Sequence, residues 1–172
     1  MKFSIAIVAA ALIAGVAADY ATVHTDVLNI QKSVADLAEK LKATDGNSYG
    51  GGLSVHGAAQ DLDKAIQRST KDTQSTTSVT TVPQAKTIIS ILTKAYPHVV
   101  AATERLVAIK PNFQKIGVAG IAKGDITSIA KSTKAFTVAL VAKAPAAEKK
   151  AAQSLAAKYN AKLDATVKQY ST

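Results

Sequence analysis

From residue 20 onward the apolar positions recur at helical spacing. Tyr20, Val23, Val27, Ile30, Val34, Leu37 and Leu41 follow one another in alternating steps of three and four, which places all seven on one stripe of an α-helix. Asp45-Gly46-Asn47 reads as its stop, and Gly50-Gly51-Gly52 as a flexible loop. A second, weaker stripe carries Val55, Ala59, Leu62, Ile66 and Ser69. It is expected to fray into the stretch 69–81, where nine of thirteen residues are Ser or Thr, a loop composition. Those hydroxyls suit either O-glycosylation or a plain polar linker. The chain has no Asn-x-Ser/Thr acceptor.

Thr81-Val82-Pro83-Gln84 has the signature of a helix start: a threonine N-cap, a proline in the first turn and a glutamine at the capping-box position. Behind it, Ala85, Ile88, Leu92, Ala95 and Val99 form one line, and Ile89, Tyr96, Val100 and Val107 a neighbouring one. A helix apolar on two sides belongs near the middle of a fold. Pro97 lies within it, so a kink or break is expected near Thr93 to Pro97. Pro111, Gly117, Gly120 and Gly124 loosen the next stretch, after which Asp125 reads as the cap of another helix. That helix carries Ile126, Ile129, Thr133, Phe136 and Leu140. Pro145 and Glu148 open a last helix bearing Ala152, Leu155, Tyr159, Leu163, Val167 and Tyr170. No useful strand period appears. The pattern predicts an all-α, single-domain bundle of five or six amphipathic helices.

The first twenty residues follow a different rule. Lys2 precedes an apolar run from Ile5 to Val16, and Val16-Ala17-Ala18 offers small residues for cleavage. This is the order of a secretory signal peptide, and the run is short for a membrane span. Residues 1–18 are therefore expected to be a signal peptide and 19–172 the helical domain. The polar end at Lys168 to Thr172 lacks the hydrophobic tail of a glycolipid anchor. The expected product is secreted and extracellular, with no transmembrane segment after cleavage.

Composition narrows the chemistry. The chain has 172 residues and no cysteine, which excludes a thiol nucleophile, a disulfide framework and Cys-ligated metals. His24, His56 and His98 are scattered without spaced partners. Asp61 and Asp63, two apart, diverge on a helix. The glycine triplet leads into Leu53-Ser54-Val55 rather than a phosphate-binding Lys-Ser pair. The expectation is a protein that is not an enzyme, with no cofactor and no metal. Charge is lopsided: residues 19–104 carry net −1, residues 105–172 net +9. The lysines from Lys131 to Lys168 read as a solvated helix face or as a surface for an acidic partner enzyme, polysaccharide or anionic membrane. Arg105 is the only arginine there, and no base-reading constellation is assembled, so nucleic acid is not expected.

The apolar stripes allow more than a dry core, because small residues crowd them at Ala85, Ala95, Ala135, Ala139, Ala152 and Ala156. An apolar space between helices can hold a ligand. Its lining would be drawn from Ile30, Val34 and Leu37 on the first helix and Leu62 and Ile66 on the second. Ile88, Leu92 and Val99 would come from the third, and Ile129, Phe136 and Leu140 from the fourth. Leu155, Tyr159 and Leu163 would complete it from the last. A dry core selects the same positions. Burying an acyl chain is worth about 0.8 kcal/mol per methylene, so fourteen methylenes give roughly 11 kcal/mol before association costs. Micromolar affinity requires about 8 kcal/mol. The stripes can alternatively open on an oil or lipid surface, hinging at Gly50–Gly52 and Gly117–Gly124.

The ordering of these elements resembles the fungal hydrophobic surface-binding protein A family, itself similar to antigenic cell-wall galactomannoproteins. The residues carrying the resemblance are Val27, Ile30, Val34 and Leu37, the Val82-Pro83 helix start, Lys110 to Phe113 ahead of a glycine, the Ile126–Leu140 stripe, and Lys143-Ala144-Pro145 before a final helix ending at Tyr170. The resemblance implies an all-helical secreted protein without enzymatic activity. It implies binding to a hydrophobic surface or to a fatty acid in a central apolar cavity. A secreted hydrolase is the partner it suggests, and the cell wall a possible station. The chain departs from the mannoproteins in having no Ser/Thr-rich C-terminal stalk, and in its strong positive charge.

Overall fold

A computed structural model describes the backbone of residues 4–76 and 80–171, with side chains from residue 20 onward within those ranges. The signal-peptide reading of residues 1–18 falls outside the described side chains. Five helices follow one another: α1 (Ser4–Ala43), α2 (Tyr49–Ser75), α3 (Val82–Lys115), α4 (Ala119–Lys143) and α5 (Ala146–Ser171). No strand occurs among the described residues.

The helices close into a ring. α1 packs on α2 and α3, α2 also on α4, α4 also on α5, and α5 on α3, while α3 and α4 only brush each other across the middle. The order around the ring is thus α1, α2, α4, α5, α3. Helix axes about 9–10 Å apart put a five-membered ring roughly 8 Å from its centre. With helices ~10–11 Å in diameter, that leaves a bore on the order of 5–6 Å across. Side chains must fill this space or it stays open. All seven residues of the first stripe face inward, with Tyr20 at its margin.

Several boundaries differ from the sequence reading, each for a local reason. The glycine triplet is not a loop; it forms the first turn of α2. Ser48 caps that turn, its hydroxyl accepting from the Gly51 N–H at 3.0 Å. A Cβ on Gly51 would lie 2.5 Å from the Thr44 hydroxyl, so glycine is required by close approach. The first part of the Ser/Thr-rich stretch is helical, since α2 runs to Ser75. Within it the Thr70 hydroxyl bonds the Ile66 carbonyl at 2.8 Å and the Thr76 hydroxyl that of Asp72 at 2.9 Å, each in its own helix. Ser69, Thr70, Thr73 and Thr76 are buried, which removes them from the hydroxyls open to a glycan.

Asp125 does not cap α4, which starts at Ala119 with Val118 in the cap position. α3 ends in a Schellman motif: the Val118 N–H bonds the Phe113 carbonyl at 2.9 Å and the Gly117 N–H that of Gln114 at 3.1 Å. Gly117 supplies the positive φ of 77°, and the chain passes directly into α4. Gly120 and Gly124 lie inside that helix. Of the expected hinge residues, only Gly117 therefore stands at a turn.

The capping box at Thr81 and Gln84 forms as expected. α3 does not break at Pro97; it continues through both Pro97 and Pro111 to Lys115. Each proline deprives the carbonyl four residues back of its donor. α5 supports the helix at both places, one residue further back. The Tyr159 hydroxyl donates to the Leu92 carbonyl at 2.7 Å, and the Tyr170 hydroxyl to that of Leu106 at 2.8 Å. Burial pushes both phenol pKa values up, so both stay neutral donors. Replacing Tyr159 by Phe is expected to cost about 1 kcal/mol, read as a lower urea midpoint with an unchanged m-value.

Candidate functional site

The bore is open. One cavity leaves about 90 Å³ free for the centres of water-sized molecules and opens to solvent at its mouth. It runs down the end of the ring where α2 and α4 finish and α3 and α5 begin. A second cavity, about 50 Å³ by the same measure, continues toward the other end. The fourteen positions selected from the sequence divide between them. Ile30, Ile66, Ile88, Leu92, Phe136, Leu140, Leu155 and Tyr159 line the first, and Leu37, Leu62 and Ile129 the second. Val34, Val99 and Leu163 line both.

The mouth was not legible in the stripes. Thr73, Thr76, Thr80, Thr133, Thr137 and Lys143 add polar groups to the upper cavity. Thr133 stood in a stripe read from sequence as apolar. Thr137 lay beside that stripe, Thr73, Thr76 and Thr80 in a presumed loop, and Lys143 just past the stripe. Lys143 and the α2–α3 link hold each other. The Thr80 N–H and hydroxyl both donate to the Lys143 carbonyl, at 3.2 and 3.1 Å, and the Lys143 ammonium donates to the Thr76 carbonyl. Thr73 is 1% exposed, and its hydroxyl oxygen has no hydrogen-bond partner among the described residues. A buried unpaired hydroxyl facing a cavity is a ready donor or acceptor for whatever enters. Lys143 is the one charged side chain on the upper wall. The remaining lysines of α4 and α5 face away from the bore, as in Lys131, Lys134, Lys149, Lys150, Lys158 and Lys168, all exposed.

Two polar clusters lie outside the upper cavity. His56, read from sequence as unpartnered, donates from Nδ1 to both Asp125 oxygens at 2.9–3.0 Å, and the Gln60 amide meets its Nε2 at 3.0 Å. The pair ties α2 to α4. Burial raises the Asp125 pKa, with His56 opposing. Asp26 on α1 is 4% exposed and faces Arg68 and Asp72 of α2. Burial first, then the Asp72 carboxylate, push the Asp26 pKa up to about 6, against the pull of Arg68. Among the described residues no group of three or more His, Cys, Asp or Glu is arranged to hold a metal. No described helix is long and apolar enough to cross a membrane.

The fold has solved counterparts. Afmp4p in complex with palmitic acid superposes with a TM-score of 0.81 at 22% identity, covering 88% of this chain and 99% of that one. Ligand binding domain 1 of the Penicillium marneffei MP1 protein, complexed with arachidonic acids, gives 0.79 at 12% identity over 86% and 95% of the two chains. Domain 2 of the same protein, complexed with multiple arachidonic acids, gives 0.77 at 12% identity over 85% and 92%. No curated protein sequence matches the chain. The sequence model of the hydrophobic surface binding protein A family matches residues 20–142, α1 through nearly all of α4, and the chain belongs to that family.

Proposed function

We propose that this is an extracellular, non-enzymatic carrier that takes a fatty acid into the bore of its helical ring. The observation that carries the reading is the cavity itself: a largely apolar wall with its one charged side chain, Lys143, at one end. That polarity matches a monocarboxylate, with its tail inside and its head at the mouth. The Lys143 ammonium would meet the carboxylate, and Thr73 with Thr137 would supply hydroxyls. The three similar structures, solved with palmitic or arachidonic acid, support the same ligand class.

Native mass spectrometry of the secreted protein, followed by organic extraction and lipid analysis, tests the reading. A stoichiometric fatty acid, retained or taken up after delipidation, is expected. A protein that arrives empty and takes up no added fatty acid overturns it.

A second mode, adsorption to a hydrophobic surface, is favoured by one feature. Tyr49 and Leu53 on α2 and Ile121 on α4 are exposed large apolar side chains at the end of the ring opposite the mouth. Leu53 and Ile121 flank one shallow depression. Adsorption through this end requires no hinge. The double substitution Tyr49→Ser, Leu53→Ser is expected to weaken adsorption to hydrophobic beads while fatty-acid uptake stays intact; equal loss of both ties them to one site.

A further inference from the structure

The two cavities meet at three side chains. Val34 of α1, Val99 of α3 and Leu163 of α5 belong to the walls of both. On the other two helices the walls change over at the same level: Ile66 and Thr133 face the upper cavity, and Leu62 and Ile129, one turn further on, the lower. The two spaces therefore lie end to end along the ring axis, and Val34, Val99 and Leu163 form the waist between them.

We propose that both cavities are one acyl channel, and that the Val34–Val99–Leu163 waist sets the chain length this protein accepts. The inference rests on the fatty-acid reading and specifies it. From Val23 at the upper end of the wall to Val34, at 1.5 Å per residue, the upper cavity spans about 16 Å. From Val34 to Leu41, the lower wall adds about 10 Å. Carbon–carbon bonds of about 1.52 Å at about 111° advance an extended chain ~1.25 Å per carbon. The upper cavity then holds about thirteen carbons, and the lower about eight more. Tails of sixteen to twenty carbons must pass the waist; those of twelve do not reach it.

Charge orients the ligand in the channel. The upper wall carries the Lys143 ammonium, whereas the charged group on the lower wall is the Asp125 carboxylate. A carboxylate head is attracted to the first and repelled by the second, so the tail descends. The lower cavity is lined by small residues at Ala59, Ala102 and Ala122, together with Leu and Ile side chains. Its one hydroxyl, on Thr103, is already given to the Val99 and Val100 carbonyls, so the lower cavity offers the tail hydrocarbon contact and a head group no free donor.

The test uses saturated straight-chain carboxylates of ten to twenty carbons, titrated into delipidated protein by calorimetry below their micelle concentrations. For the unchanged protein, affinity is expected to rise about fourfold per added methylene and to keep rising past sixteen carbons. Val99→Phe plugs the waist: palmitate and stearate are expected to lose at least tenfold, while laurate changes less than threefold. Ala122→Leu fills the lower cavity from below and leaves the waist alone. It is expected to weaken stearate and arachidate with laurate unchanged, and it carries the test if Val99→Phe does not fold. A folded variant of either kind with the parent's length profile overturns the proposal. Equal loss of laurate and palmitate in both folded variants also overturns it, since the damage would not depend on length. A parent protein that binds none of the series overturns the fatty-acid reading itself, a result distinct from either.

Discussion

Saturating the delipidated protein with palmitate is expected to raise its melting temperature by about 8–16 °C. A ligand that binds the folded state alone at a thousand times its Kd adds about 4.1 kcal/mol. In a domain of this length each kcal/mol moves the midpoint by about 2–4 °C. The sign separates two modes of binding. A fatty acid inside the ring needs all five helices in place, because upper-wall residues come from every helix, from Val23 on α1 to Leu163 on α5. Unfolding destroys that site. A fatty acid held on exposed apolar side chains such as Val138 finds equal partners in the unfolded chain, and leaves the midpoint unchanged or lowers it. Differential scanning calorimetry with palmitate, and with butyrate as a control too short to fill the bore, distinguishes them. Absence of any shift with palmitate would count against an internal site.

Asp26→Asn is expected to stabilise the protein at neutral pH by on the order of 2 kcal/mol and to do almost nothing at pH 3.5. The Asp26 carboxyl has a folded pKa of about 6, above its ordinary value of 3.8, because it is buried between α1 and α2 and faces Asp72. The raised value means that the folded state binds this proton more tightly than the unfolded chain. Its favourable contribution is complete below pH 3.8, and is lost as pH rises through 6. At pH 7 the carboxylate is charged, with one oxygen lacking a hydrogen-bond partner among the described residues and with Arg68 3.8 Å from the other. Arg68 is largely solvent-exposed, so it offsets the burial only in part. Asparagine keeps the shape and removes the charge. The stability difference between variant and parent, from chemical denaturation at intervals between pH 3.5 and 8, should grow through the interval from 4 to 6 and then level off. A flat difference would show that Asp26 is not protonated preferentially in the fold.

These expectations depend on features of unequal legibility. The helices could be read from spacing because an inward stripe needs only one residue every three or four positions, a property of single segments. The stripe from Tyr20 to Leu41 and the capping box at Thr81 and Gln84 are of this kind. Proline and Ser/Thr content misled because helix-breaking residues can be accommodated within a packed helix. α3 runs on through Pro97, and one residue before the carbonyl that the proline leaves without its donor, the Tyr159 hydroxyl of α5 bonds the helix at Leu92. The hydroxyls of Thr70 and Thr76 find acceptors in their own helix, so a loop-like composition remains helical. The glycine triplet begins a helix because Ser48 caps its first turn, and Gly51 is the member that the close approach of Thr44 requires.

The candidate site divides in the same way. Fourteen lining positions were legible because facing inward is a property of one helix. Whether inward side chains meet and fill the centre, or stop short of it, depends on how many helices close the ring, and no periodicity within a segment encodes that number. Five helices leave a bore that Val, Ile, Leu and Ala side chains line without filling. The polar mouth depends on Lys143 meeting Thr76 and Thr80 across more than sixty residues of chain, and the waist on Val34, Val99 and Leu163 reaching one level from three separate helices. The linear pattern determined which faces turn inward, because burial selects side chains one helix at a time; the closure of the ring alone decided that those faces surround cavities.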